Sequence, residues 1–327
     1  MGQTGEVLIH SDVSRAVDAL RAGGLIALPT ETVYGLGADA SNELAVRRIF
    51  AVKGRPSNHP LIVHLVSLEA TRPWVEALPP TAEALGRAFW PGPLTLVLKR
   101  SNLASDAVTG GQGTVAVRVP GHPLALEVLE AFGGGIAAPS ANRFGQLSPT
   151  TAGHVRDELG EDVDVILDGG PCSVGVESTI VDMTGPTPRL LRPGGVSREA
   201  LEAVLGQPLA GADAGPAVRA PGMLESHYAP RAGVRLVGAA DVEAEARASA
   251  RAGLEVVVLA PASLALGPGL TRLEVPEDAA DFAKVLYHRL READAMGQLL
   301  FVVPPSESGL GLAVRDRLRR AAAPRGP

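Results

Sequence analysis

Apolar and polar positions along the chain switch between two periods, and the switches mark out the elements. A short apolar run, Leu25 to Leu28, stopped by Pro29, predicts a buried strand, and Leu61 to Val66 predicts another. Residues 114–119 set Val115, Val117 and Val119 against Thr114, Ala116 and Arg118, which is the two-residue period of a strand. Further strands are predicted at Glu6 to His10, Leu94 to Leu98, Ile136 to Ala138, Val163 to Leu167, Ile180 to Met183 and Arg189 to Arg192. Helical spacing appears at Ser11 to Ala22, with Val13, Val17 and Leu20 inward. It recurs from Ser41 to near Val52, with Leu44, Ala45, Ile49 and Phe50 on one face. Helices are also predicted over 81–89, 123–132, 148–159 and 197–205. Several strands are consecutive, so the expected class is α/β or α+β with a twisted mixed sheet.

From Gln207 to about Gly233 the periodicity lapses into Gly, Ala and Pro, the mark of a linker. After it, strands at 234–237, 254–259, 270–275 and 299–303 interleave with helices at 242–251 and 279–295 and a basic amphipathic helix ending at Arg320. This predicts a first domain over 1–206, a linker over 207–233 and a smaller Rossmann-like domain over 234–327, without the G-x-G-x-x-G fingerprint of dinucleotide binding.

Composition narrows the function classes. A net charge of -6 offers no global attraction for nucleic acid, and 3% aromatics disfavours single-strand stacking. One cysteine, Cys172, rules out an internal disulfide and a cysteine-based zinc site, and the seven histidines show no metal-ligand spacing. No metal site is expected from the protein's own side chains. The N-terminal residues lack a basic segment followed by an apolar core, and no apolar run reaches membrane-spanning length, so a cytoplasmic location is expected.

Candidate chemistry is concentrated in short motifs. Thr30, Glu31, Thr32 and Tyr34 lie in a predicted loop punctuated by Gly35 and Gly37, and Lys53-Gly54-Arg55-Pro56 follows the next helix. The chain has three lysines among 30 basic residues, so arginine is its default cation and Lys53 invites a reason. A compact ammonium and a planar guanidinium flanking a slim glycine suit phosphate. They also suit an ordinary solvated helix end. Arg118 is a ready carboxylate clamp if its face lines a pocket, and an exposed charge if it meets solvent. Ser140 and Asn142 follow a strand end and can face one ligand, or simply make a turn. Tyr228, inside APGMLESHYAP (Ala220 to Pro230), is rich chemistry for a linker.

PTETVYGLG, KGRPSNHPLIVH, WPGPLT, TVAVRVP, APSAN, GVEST and LLRPG, in this order and spacing, resemble the YrdC-like family of threonylcarbamoyl-AMP synthases in its two-domain form. The resemblance implies a YrdC-like domain with a concave active-site cavity and a strap laid over it. It implies formation of L-threonylcarbamoyl-AMP from L-threonine, bicarbonate and ATP, with ATP as substrate, Mg²⁺ accompanying it, and pyrophosphate released. The product would feed adenosine modification next to the anticodon of tRNA through a separate transfer complex, so direct tRNA binding is not required. Residue by residue, Thr32, His64, Arg118, the Ala138 backbone and Ser178 would hold threonine. Lys53, Arg55, His59, Thr114, Ser140, Asn142, Ser148, Arg192 and Tyr228 would surround ATP, with Lys53 and Arg55 stabilising charge at the phosphorus. Glu31 and His64 are candidates by residue type for the base that deprotonates the threonine amine. Gly309-Leu310-Gly311 and the arginines after it resemble the family's terminal motif, except that Asp316 stands where an asparagine is expected. The alternatives are an RNA-binding or ribosome-assembly module on the same fold, and a carbamoyl-transfer enzyme with another acceptor.

Overall fold

The computed structural model describes residues 9–215, 218–223 and 228–324. The chain divides into two compact units: 9–144, 148–173 and 177–223 in the first, and 145–147, 174–176 and 228–324 in the second.

In the first unit the strands are β1 (Ile9–His10), β2 (Ile26–Leu28), β3 (Gly35–Asp39), β4 (Ile62–His64), β5 (Leu94–Lys99), β6 (Thr114–Arg118), β7 (Ile136–Ala137), β8 (Val165–Leu167), β9 (Thr179–Asp182), β10 (Arg189–Arg192) and β11 (Ala210–Gly211). The helices are α1 (Val13–Arg21), α2 (Glu43–Lys53), α3 (Leu68–Thr71), α4 (Pro80–Phe89), α5 (Asp106–Thr109), α6 (Pro123–Phe132), α7 (Ala152–Leu159) and α8 (Arg198–Leu205). The strands form one mixed sheet in the order β1-β8-β2-β3-β7-β4-β6-β5-β9-β10-β11. Helices α1 and α6 lay Ala16, Val17, Leu20, Ala125, Val128 and Leu129 over Ile26, Leu28, Ile136 and Leu167 to make a core. Farther along the sheet, Ile62, Val97, Ala116, Ile180 and Leu191 gather with Ala220 in a second cluster. From Val115 to Arg118 every residue of β6 is buried, so the strand is covered on both faces.

Most predicted elements appear within one or two residues. The first strand was expected from Glu6, but residues 1–8 lie outside the described residues. Helix α2 is capped by Asn42, whose side chain accepts from the Leu44 and Ala45 amides, and not by Ser41. The clearest correction is β3. Gly35-Leu36-Gly37 was expected to be loop, yet it pairs antiparallel with β2, Leu28 opposite Gly35. Gly37 belongs there for close packing: a Cβ on it would stand 2.9 Å from Ile136 Cγ2 and 3.2 Å from Ile26 Cγ1. Strand β11 lies inside the stretch expected to be structureless linker and pairs parallel with β10.

The second unit has a parallel four-stranded sheet, β12 (Gly233–Leu236), β13 (Val256–Ala260), β14 (Thr271–Glu274) and β15 (Leu299–Val302), in the order β12-β15-β13-β14. Helix α9 (Val242–Arg251) packs Val242 and Ala246 on one face, against Val256, Val258 and Phe301. Helices α10 (Ala279–Met296) and α11 (Gly311–Ala322) complete the unit. The strands are parallel, as the Rossmann-like expectation requires, and helices join them except between β13 and β14.

Candidate active site

Strand registers line up His64, Arg118, Thr95 and Arg192 across neighbouring strands of the first unit, with the apolar Ile180 of β9 between the last two. His64 pairs with Arg118 across β4 and β6, Leu96 pairs with Val117 across β5 and β6, Thr95 pairs with Ile180 across β5 and β9, and Ile180 pairs with Arg192 across β9 and β10. The side chains then meet. Thr95 Oγ1 and Ser178 Oγ share a hydrogen bond of 2.8 Å, and Arg192 Nη2 donates to Ser178 Oγ at 3.2 Å and to its carbonyl at 2.8 Å. Arg192 Nη1 donates to the Pro221 carbonyl at 2.9 Å. Arg118 is 4% exposed, so it is not the solvated charge of the bland alternative. Its Nη2 donates to Glu31 Oε1 at 2.6 Å and its Nε to the Gly92 carbonyl at 3.3 Å. His64 is buried beside it. Burial first and Arg118's charge second push its imidazole down to about 3, so the ring is neutral at physiological pH.

A second cluster forms where α2 ends. Gly54 takes the left-handed conformation, φ 63°, and closes the helix just after Lys53. The Lys53 ammonium is buried and donates to the Ser140 carbonyl at 2.5 Å and to the Asn142 carbonyl, while the Phe144 amide donates to the Lys53 carbonyl at 2.8 Å. Burial, then the charge of Arg55, hold the ammonium well below the usual lysine range. Arg55 donates from Nη2 to the Pro60 carbonyl at 3.1 Å, and its guanidinium lies 5.9 Å from the Phe144 ring centre. His59 meets the same ring edge-on at 5.7 Å, and burial followed by Arg55's charge lowers its basicity.

The loop between β2 and β3 joins the clusters. Thr30 and Thr32 share a hydroxyl hydrogen bond of 2.7 Å, Glu31 reaches Arg118, the Tyr34 carbonyl accepts from Ala141, and Gly35 bridges to Ser140. Among the residues expected to hold threonine, His64, Arg118 and Ser178 fall in the strand row. Thr32 sits in the joining loop, and Ala138 donates its amide to the Ile62 carbonyl of β4, the strand that carries His64. Among those expected around ATP, Lys53, Arg55, His59, Ser140 and Asn142 gather. Thr114 starts β6, at the opposite end of that strand from Arg118, and Arg192 stands in the strand row. Ser148 is fully buried, its hydroxyl donating to Glu177 Oε1 at 2.6 Å. Tyr228 belongs to the second unit, where its ring lies 5.8 Å from Tyr287 and 5.2 Å from the Arg317 guanidinium. Its neighbour His227 lies outside the described residues.

The Sua5/YciO/YrdC family profile, described as "Telomere recombination", matches residues 18–194, and the profile described as "Threonylcarbamoyl-AMP synthase, C-terminal domain" matches 196–323. A threonylcarbamoyl-AMP synthase of Pyrococcus abyssi is 42% identical, with 94% of this chain and 93% of the relative covered. The chain belongs to the threonylcarbamoyl-AMP synthase family. A Bacillus subtilis member is 38% identical over 96% of this chain and 93% of its own. The crystal structure of P. abyssi Sua5 complexed with L-threonine superposes with a TM-score of 0.90 at 40% identity, covering 95% of this chain and 94% of that one.

Within this threonylcarbamoyl-AMP synthase fold, the geometry adds polar residues that motif reading passed over. Thr95 sits in a buried strand, where a lone hydroxyl among leucines and valines was the available signal. Glu177, inside GVEST, holds Ser148, and its backbone carbonyl accepts from Gly195 at 3.1 Å. Gly194 packs so closely that a Cβ there would stand 2.3 Å from the Glu177 carbonyl oxygen, which explains the glycine after Pro193. Asp316, the departure in the terminal motif, pairs with Arg317 Nη1 at 2.6 Å and with Arg320.

Proposed function

We propose that the chain forms L-threonylcarbamoyl-AMP from L-threonine, bicarbonate and ATP, releasing pyrophosphate. What supports this most is the buried Arg118, held beside a neutral His64 and the Ser178–Arg192 pair, in a chain 42% identical over 94% of its length to a P. abyssi threonylcarbamoyl-AMP synthase.

In this reading the threonine carboxylate meets Arg118, with Ser178, Thr32, His64 and the Ala138 backbone around the rest of the amino acid. The threonine amine combines with bicarbonate to give a carbamate and water. A carbamate oxygen then bonds to the α-phosphorus of ATP, and the bond from that phosphorus to the bridging oxygen breaks, releasing pyrophosphate. Such a reaction is served by alignment and by neutralising phosphate charge. An ammonium has three N–H donors, and Lys53 commits two of them to the Ser140 and Asn142 carbonyls, which leaves one for a phosphate oxygen. Arg55, His59, Thr114, Ser140, Asn142, Ser148 and Arg192 are assigned to the nucleotide alongside it, and the assignment of Tyr228 to the nucleotide rests on the resemblance. Neither base candidate is ready for an ammonium proton: His64 is pushed down to about 3, and both Glu31 oxygens already accept hydrogen bonds.

Mg²⁺ would enter with ATP as part of the substrate. Among the described residues no group of three or more His, Cys, Asp or Glu side chains could hold a metal ion. No helix among them is long and apolar enough to cross a membrane, and the cytoplasm is the compartment proposed. The product is a mixed carbamic–phosphoric anhydride, which a separate transfer system would pass to tRNA adenosine. Incubating the full chain with ATP and each amino acid, with and without bicarbonate, tests the proposal. Pyrophosphate release that requires both threonine and bicarbonate is the expected result, and release indifferent to either overturns it.

A further inference from the structure

We infer that Glu31 is a positioning residue for the substrate carboxylate, acting through Arg118. This rests on the reading above that Arg118 meets the threonine carboxylate, but that reading assigns Glu31 no part in binding it. Glu31 is 8% exposed, and both its oxygens are engaged: Oε1 accepts from Arg118 Nη2 at 2.6 Å and Oε2 accepts from the Gly121 amide at 2.9 Å. On the other side, Arg118 Nε donates to the Gly92 carbonyl at 3.3 Å. Gly92 cannot drift, because its amide donates to the Val119 carbonyl at 2.8 Å and a Cβ on it would stand 2.4 Å from the Phe89 carbonyl oxygen. The Trp90-Pro91-Gly92-Pro93 turn, which the catalytic assignment leaves without a role, thereby becomes one jaw of a vice around the guanidinium.

A guanidinium is planar, so fixing Nε and Nη2 fixes Nη1 as well. Nη1 has no hydrogen-bond partner among the described residues. The incoming carboxylate therefore meets one directed nitrogen while Glu31 keeps the other. The Arg118–Glu31 pair sums to zero charge, so the site orients a zwitterion without trapping free anions.

The opposite possibility is that Glu31 occupies the clamp as a competitor which threonine must displace. The two differ in sign. Full-length Glu31→Ala, Glu31→Asp and Glu31→Gln would be compared for KM of threonine, KM of ATP and inhibition by L-threoninol, which lacks the carboxylate. Positioning predicts that Ala and Asp raise the threonine KM by roughly tenfold or more. It predicts that Gln, whose carbonyl can still accept from Arg118 although its NH2 then faces the Gly121 amide donor, recovers part of the loss, and that ATP KM and threoninol inhibition stay within about twofold. A threonine KM that falls or stays level in Ala and Asp overturns the inference in favour of competition, and threoninol inhibition weakening in parallel reduces Glu31 to a structural part. Arg118→Lys separates the premise: an unchanged threonine KM there removes Arg118 from carboxylate binding, whatever Glu31 does.

Discussion

Lys53 and Arg118 are buried cations of the same unit, held in opposite ways. Lys53 is surrounded by carbonyl dipoles, with the charge of Arg55 nearby, so burial drives its ammonium well below the usual range. Arg118 has a full carboxylate against it at 2.6 Å and a carbonyl on its other side. Each keeps donor capacity uncommitted, but the Lys53 donor gains most from a highly charged anion arriving, whereas Arg118 is already neutralised and contributes direction more than charge. On the proposed assignment a triphosphate meets the first site and a small zwitterion the second, and partner chemistry sets what each buried cation still has to offer.

The largest expected effect tests the ion pair. Arg118→Met leaves the Glu31 carboxylate buried beside an apolar chain, and breaking a buried pair costs about 3–5 kcal/mol. Denaturant unfolding should show that loss, and Glu31→Gln added to Arg118→Met should recover much of it; no loss in the single variant would mean the pair is inconsequential. Next comes acid stability. His64 is held near 3 in the fold against 6.5 when unfolded, so as pH falls between these values the unfolded chain takes up a proton that the folded one refuses. Stability should then drop by up to about 1.4 kcal/mol per pH unit. Urea midpoints from pH 7 to 4 should fall less steeply in His64→Gln, and equal slopes would show that the ring is not buried neutral.

Lys53→Met should be milder for the fold, costing about 1–3 kcal/mol because the Ser140 and Asn142 carbonyls lose their donor. Its signature is selective: ATP KM rises while threonine affinity measured without nucleotide holds, and equal loss of both would erase the contrast between the two sites. Smallest is Phe144→Leu, which removes the ring against Arg55 and His59 and should cost about 0.5–1 kcal/mol with a modest rise in ATP KM. A thermal melt alongside the KM would read both.

Much of the local structure was legible because short-range rules governed it. Arg189–Arg192 and Val242–Arg251 came out at the predicted bounds, and Ser197 caps α8 through a hydrogen bond to the Ala200 amide, where a local side chain to backbone bond decides. Strand β3 was not legible, since Gly-Leu-Gly reads as loop by propensity, and its strand exists because β2 and β7 flank it on both sides. Helices α3 and α5, four residues each, carry too little periodicity to detect. The cap of α2 at Asn42 lies one residue from the Ser41 expected, both being good capping types.

The sequence by itself determined the cations, hydroxyls and turn residues, their order, and through them the family. It did not decide what each would touch. Whether Arg118 met solvent or Glu31, and whether Lys53 stood open or pressed against the 140–142 carbonyls, depended on bringing residues 31 and 118, or 53 and 142, together across the sheet. Such pairings join positions nearly ninety residues apart. Neither propensity nor local spacing carries information over that distance; the packing of the sheet does.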